Sequence, residues 1–406
     1  MVIGMLLETE YPKDIRVRKE AESLVAGGIK VVVIVPWREG ESREETVNGV
    51  NVRRIGSNYT HKRRGITDVI TALFFVNWMF YRRMGKIIQE YGITHLHAHD
   101  LPMAKTAYLL KKKVPGKVIL DSHENYPELL EGWFMTKKSF FIRMKNNMLF
   151  KPSRWRRYER RIMPKMDRLI VVIDEMKNKF IDWYGLKESE VLVVANYEKK
   201  GFAKEAEKLA SDGEFVFDPE TFYLVYVGGI GPMRGLDTVI DSVTLLKEDG
   251  RKVQFIVLGS GNPTYIQGLH DQIAENKLND EVHFLGYKPF EKINYYMKKA
   301  GLNVIPHVKN GHTDYTIPHK LFQIFLSKRP VLVSSCKPLK RMVDTCDGGW
   351  VFEASNAEDF ANKVVEVMES SNAEIVKKTE NSFNKAMEDW NWENEGDKLI
   401  SFYEEL

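Results

Sequence analysis

Cysteine is nearly absent from this 406-residue chain: Cys336 and Cys346 are the only two, and they do not form a CxxC pair. That argues against a disulfide framework or a thiolate zinc site and fits a reducing cytoplasm. Low-complexity stretches are missing too, which argues against disorder. The apolar run near 69–81 is too short to cross a bilayer. MVIGMLLETEYPK at the start carries no basic leader and no cleavage site, so it reads as a first strand instead of a signal peptide. What remains is a composition with 43% hydrophobic and 29% charged residues, that of a soluble globular protein. The length exceeds one ordinary core, so two domains are expected.

The net charge of +4 hides an asymmetry. Residues 1–200 carry 37 Lys/Arg against 24 Asp/Glu, whereas the rest carries 23 against 32. Much of the positive charge lies in HKRRGITDVITALFFVNWMFYRRMGK (61–86) and FMTKKSFFIRMKNNMLFKPSRWRRYERR (134–161), both rich in large apolar side chains. Such segments suit an anionic membrane surface, with charge for the head groups and rings for the acyl boundary. Alternatively, 66–88 is a core helix: Ile66, Val69, Ile70, Leu73, Asn77, Phe80, Tyr81, Met84 and Ile88 follow a helical stripe. Phe75, Trp78 and Met79 fall off that stripe and leave apolar surface to cover. No nucleic-acid module accompanies the basic residues, so nucleic acid is not an expected partner.

Strand-like and helix-like segments alternate throughout. The first half has apolar runs at 2–7, 30–35, 94–98, 117–121, 168–173 and 190–195. The second has them at 222–227, 253–259, 281–286, 302–306, 330–335 and 350–352. Continuous Val/Ile/Leu runs predict strands buried on both faces, and the interposed helical patterns make them parallel βαβ units. The fold class is therefore α/β, with two Rossmann-like, doubly wound parallel-sheet domains facing across a cleft. The first should span 1–200 and the second 201–389, with a hinge inside 197–221. An amphipathic helix at 390–406 should pack back on the first domain.

The chemistry concentrates in the second half. YVGGIGPMRGLDTVIDSV (226–243) is a strand, a glycine-rich turn and a helix. Gly228, Gly229 and Gly231 allow close backbone approach, and Arg234 stands where the helix begins, able to meet phosphate oxygens. Further turns follow at LGSGNP (258–263) and FLGYKPFEKI (284–293). In VIPHVKNGHTDYTIPHKLFQ (304–323), His312, Thr313, Asp314 and Thr316 lie in a polar turn. A helix should then start at Pro318-His319-Lys320, whose free amides and Lys320 would favour a diphosphate. The same polar residues could simply cap that helix. His95, His97 and His99 alternate, so they should share one strand face, packed, lining the cleft or holding a metal.

The ordered motifs YVGGI, RGLDTVI, VLGSG, VHFLGY, NVIPH, TIPHKLFQ and PVLVS resemble the C-terminal domain of retaining glycosyltransferases of family 4, which have the GT-B fold. EYPKDIRVRKEAESLVAGGIKVVVI, HLHAHDLP, LDSHENYPE, MDRLIVVIDEM and VLVVANYE look like that family's first domain. The resemblance implies transfer of a sugar from a UDP- or GDP-type nucleotide diphosphosugar to an acceptor, with retention and without a metal or other cofactor. No Asp-x-Asp occurs in the chain, in keeping with a metal-independent type. The basic aromatic segments of the first domain extend this to a lipid-linked or polysaccharide acceptor hydroxyl, reached from the inner face of the cell membrane by a peripheral, cytoplasmic enzyme.

Carried over position by position, the resemblance puts Arg234 and Lys320 on the diphosphate and Gly228, Gly229 and Gly231 beneath it. Tyr287 follows the strand that meets the base, and Gln323 replaces the second acid of the family's pair, the one that binds ribose. His123 matches a histidine beside the transferred sugar; apart from the resemblance, His312 and His319 are offered as phosphate or sugar contacts or as helix caps, with Thr316 in the same polar turn of the donor site. Tyr315 replaces the first acid, with Asp314 adjacent as a substitute, and Gly229 replaces an arginine. The paired glycines after the first strand give way to LETEYPKDIRVR, from which Arg16 or Arg18 could face the cleft. These departures keep open a nucleotide-sugar epimerase on the same fold, or a non-catalytic sugar-nucleotide binder.

Overall fold

The computed structural model describes residues 1–134, 140–207 and 215–406, so parts of the basic segment 134–161 and of the expected hinge lie outside the described residues. Two compact units are present. Met1–Asn196 with Glu393–Leu406 makes the first, and Tyr197–Trp392 makes the second. The chain thus changes unit at 196 and 393, against the expected breaks at 200 and 389.

The first unit holds β1 (Val2–Leu6), β2 (Lys30–Pro36), β3 (Glu44–Val47), β4 (Val50–Ile55), β5 (His95–His99), β6 (Val118–Ser122), β7 (Arg168–Val171) and β8 (Val191–Val193). Their order is β3-β4-β2-β1-β5-β6-β7-β8, and only β3 and β4 pair antiparallel. The second holds β9 (Phe222–Val227), β10 (Val253–Leu258), β11 (Val282–Gly286), β12 (Leu302–Ile305), β13 (Val331–Ser334) and β14 (Trp350–Phe352). Its order is β11-β10-β9-β12-β13-β14, parallel throughout. Every predicted apolar run became a strand. Fully buried side chains such as Ile3, Val33, Leu96, Leu224, Phe255 and Ile256 cover both faces, which is why the runs are continuous. Each such side chain contributes about 1.5–3 kcal/mol by leaving water.

Two sequence expectations need correction. The β3–β4 hairpin was not foreseen, because Glu44–Val47 and Val50–Ile55 are too polar to stand out. Its signal was the Asn48-Gly49 pair, both at positive φ (50° and 82°), as a two-residue hairpin turn demands. The single stripe over 66–88 is in fact two helices, His61–Phe74 and Trp78–Tyr91. Asn77 caps the second through its Oδ1, which accepts from the Met79 and Phe80 amides at 3.1 and 3.3 Å. Phe75 ends the first in the left-handed region (φ 56°), a costly choice for a bulky residue. Its ring offsets that cost by stacking on Tyr158 at 3.9 Å and meeting Trp155 edge-on at 5.0 Å. Among the described residues no helix is long and apolar enough to cross a membrane.

Candidate functional site

In the second unit the strand order reverses between β9 and β12. The carboxyl ends of strands at such a reversal bind ligands in open α/β sheets. The segment leaving β9 runs through Gly228–Gly231 into the short turn Pro232–Arg234, then through Gly235 into the helix Leu236–Glu248. Gly228 sits at φ 141° and Gly235 at φ 64°, conformations that L side chains rarely adopt. This loop is laced to its neighbours by backbone. Gly228 N–H donates to Leu258 O, and Ile230 N–H to Ser260 O, each at 2.9 Å. A Cβ on Gly259 would land on the Gly228 carbonyl oxygen, and one on Gly235 on the carbonyl oxygen of Pro306. The LGSG turn and the NVIPH turn therefore fix the phosphate-loop candidate from two sides.

Arg234 and Lys320 converge on it. Arg234 Nη1 lies 3.0 Å from Nε2 of His307, the residue two places beyond β12. His307 is buried, and burial with the nearby charges of Arg234, Lys320 and His312 holds its pKa well below the usual histidine value. A neutral ring then accepts the Arg234 N–H bond. Lys320 Nζ lies over the Tyr226 ring, 3.7 Å from its centroid, and would be 3.4 Å from a Cβ on Gly228. Burial first, then Arg234, pushes its pKa well below the usual lysine value. Among the described residues neither cation is paired with a carboxylate. A guanidinium and a lysine amine that a bound anion would hold charged, set at a glycine-lined backbone, favour an anion.

The other candidates are placed as follows. The helix carrying Lys320 spans Lys320–Leu326 and starts two residues later than expected, because Pro318 O is taken up in a tighter turn by Leu321 N–H at 3.1 Å. Thr316 Oγ1 donates to His312 O at 3.2 Å, while the His312 amide donates to Asn310 Oδ1 at 2.8 Å. Gln323 Nε2 donates to Glu198 Oε2 at 3.0 Å, and His319 Nε2 lies 3.2 Å from the same oxygen. Tyr287 follows β11 with 77% of its surface exposed. Asp314, offered as a substitute acid beside Tyr315, instead accepts the Lys337 amide at 2.9 Å and so caps the helix Lys337–Cys346. In the first unit His123 is buried with Nε2 on Asp121, and Arg16 Nε lies 3.4 Å from Asp14. His307 and Glu198 were missed, although each closes a motif quoted from the sequence, NVIPH and VLVVANYE.

Comparison with known proteins gives the family and the fold. Residues 15–197 match the model of Glycosyltransferase Family 4, and residues 192–390 match that of Glycosyl transferases group 1. An uncharacterized glycosyltransferase of Methanocaldococcus jannaschii is 22% identical over 346 residues, covering 85% of this chain and 82% of that protein. The solved sucrose-phosphate synthase of Thermosynechococcus elongatus superposes with a TM-score of 0.76 at 15% identity, covering 100% of this chain and 98% of the other. The Anabaena protein HepE, solved with UDP-glucose, gives a TM-score of 0.69 at 13% identity and covers 100% of both chains. The paired family models, the two parallel sheets and these likenesses together make this chain a glycosyltransferase of group 1 and family 4, with the GT-B fold.

Proposed function

We propose that the chain transfers a hexose from a UDP-type diphosphosugar to a hydroxyl of a lipid-linked or polysaccharide acceptor, with retention and without a metal on the diphosphate. The observation that carries this reading is the convergence of Arg234 and Lys320 on the loop after β9. The bond between the anomeric carbon and the β-phosphate oxygen breaks, and its electron pair stays with the phosphate. Arg234 and Lys320 meet the charge that develops there, stabilising departure. The acceptor oxygen joins the anomeric carbon on the face the phosphate leaves, and its proton passes to the departing phosphate oxygen. Gln323, held by Glu198, is given the ribose hydroxyls. Uridine is favoured by the likeness to the HepE complex with UDP-glucose.

The lipid side of the reading rests on an exposed surface of the first unit. Ile66, Ile70, Leu73, Phe74 and Trp78 are all exposed, and Arg82, Arg83 and Lys86 on the same stretch line a basic groove. Apolar side chains next to unburied cations suit the boundary of an anionic bilayer at the cytoplasmic face.

Calorimetric titration with UDP and UDP-glucose, followed by product analysis with and without acceptors, tests the reaction. Saturable UDP binding and acceptor-dependent release of UDP are expected. Absence of UDP binding defeats the donor assignment, and conversion of the sugar without any acceptor would turn the reading to an epimerase.

A further inference from the structure

A groove of about 430 Å³ runs between the β3–β4 hairpin and the helix Trp78–Tyr91 in the first unit. Arg43 lines it from just before β3, Arg53 and Arg54 from β4, and Arg82, Arg83 and Lys86 from the helix. Glu90 is the one acid among its lining residues. Gly56 follows β4 at φ 84°, and a Cβ there would come within 2.5 Å of Met79 Sδ. Glycine thus lets the helix settle close against the hairpin, which brings the two sets of cations together.

These cations divide into two groups. Arg53 pairs with Glu44 and lies 4.0 Å from Glu90, while Arg54 pairs with Glu45 and lies 3.2 Å from Glu41. Among the described residues, Arg43, Arg82, Arg83 and Lys86 pair with no carboxylate. Arg43 Nη1 donates to Gly56 O at 2.6 Å, and its guanidinium lies 3.9 Å over the Trp37 ring. Arg83 Nη1 donates only to Met79 O, at 3.4 Å. Lys86 stands three and four residues beyond Arg83 and Arg82, so like charges are neighbours along the helix and weaken it. All four side chains are exposed and free to meet a ligand. Gathered around one depression with no acid of their own, they set up a positive potential that an anion relieves.

The surroundings of the groove bear on what carries the anion. Arg82 stands 6.0 Å over the Trp78 ring, and Phe74 meets Trp78 edge-on at 6.4 Å. Phe74, Leu73 and Ile70 are all exposed on the preceding helix. Charge and apolar surface therefore adjoin at Trp78, as a lipid with an anionic headgroup requires.

We propose that this groove binds the headgroup of a membrane lipid ending in a phosphate monoester or diphosphate, held by Arg43, Arg82, Arg83 and Lys86. The proposal rests on the membrane reading above and narrows it from a diffuse attraction to a discrete site. A phosphate monoester carries about −1.5 to −2 charges at pH 7, more than a diester, and so suits a groove with several cations to neutralise. Guanidiniums can meet its oxygens through paired N–H bonds, and the acyl chains would lie along Trp78 and Phe74.

The test is flotation of the full chain with two vesicle sets of equal surface charge, phosphatidic acid or phosphatidylglycerol in phosphatidylcholine. The wild type should bind the phosphatidic acid set about tenfold more tightly, because charge-assisted hydrogen bonds add to the shared surface attraction. Arg43→Gln, Arg82→Gln, Arg83→Gln and Lys86→Gln together should erase that preference while UDP affinity stays as in the wild type. Calorimetry with UDP saturating the donor site should show about one dihexanoyl phosphatidic acid per chain, bound at least about tenfold more tightly than inorganic phosphate. Equal affinity for those two would assign the groove to soluble phosphate and overturn the lipid headgroup. Equal binding to both vesicle sets, or a preference that survives in the glutamine variant, overturns the groove and leaves the membrane reading standing. Failure to float with either set defeats that reading and the proposal with it.

Discussion

Arg234 and His307 meet at 3.0 Å, guanidinium Nη1 to imidazole Nε2, beside the junction of β9 and β12. A buried neutral histidine thereby holds one arm of the guanidinium and leaves the others to an incoming ligand. Removing a charge-assisted contact of this kind costs about 1.5–3 kcal/mol. Arg234→Ala should therefore weaken UDP binding about ten- to a hundredfold by calorimetry. His307→Ala should weaken it less, because the cation survives. Unchanged UDP affinity in the arginine variant would remove Arg234 from the diphosphate.

Lys320 gives the donor site a direction in pH. Its pKa in the free protein lies well below the usual lysine value, because of burial and Arg234. A bound diphosphate would favour the charged form and raise that pKa. Binding should then take up a proton, and affinity should fall as pH rises through the free-state pKa. Calorimetry in buffers of different ionisation enthalpy measures this directly. Lys320→Met should abolish the uptake; its persistence would assign the proton to another group.

Glu8 gives the first unit a pH-dependent stability of the opposite sense to an ion-paired acid. Burial pushes its carboxyl from 4.5 up to about 7, even though Asn77 Nδ2 donates to it at 2.5 Å. The folded chain holds this proton between those two values and the unfolded chain does not. The contribution is present below the unfolded pKa and is lost as pH rises to about 7, by about 3 kcal/mol at most. Glu8→Gln should keep the Asn77 bond and flatten this slope, raising Tm at pH 8 by a few degrees. Equal Tm–pH curves for both chains would contradict it.

Flotation with vesicles checks the apolar surface of the first unit. Binding to anionic vesicles should be strong at low salt and weaken at high salt. Changing Leu73, Phe74 and Trp78 together to serine should abolish it while UDP binding persists. Retention of vesicle binding in that variant would clear these side chains of the role.

Strand positions were legible because burial on both faces imposes continuous apolar runs, and all of them appear in the structure. The hairpin of β3 and β4 was hidden because its strands, EETV and VNVRRI, hold no continuous apolar run, leaving only Asn48-Gly49 as a mark. The break between the helices at 61–74 and 78–91 was hidden for another reason. It depends on Trp155 and Tyr158, far along the chain, holding Phe75 in an unfavourable backbone conformation. In the site, Arg234 and Lys320 could be named from glycine-rich and proline-led turns. The Arg234–His307 and Gln323–Glu198 pairs could not, since they span 73 and 125 residues and depend on how the second unit packs.

The return of the last helix to the first unit has a consequence for biogenesis. Leu399 and Tyr403 are fully buried, and Tyr403 closes on His97, 306 residues earlier. A ribosome therefore releases a complete second unit before it can supply the last side chains of the first. The first unit therefore cannot complete its core before 393–406 has been made, and a fragment stopped after Trp392 should bind a dye for exposed apolar surface until peptide 393–406 is added back.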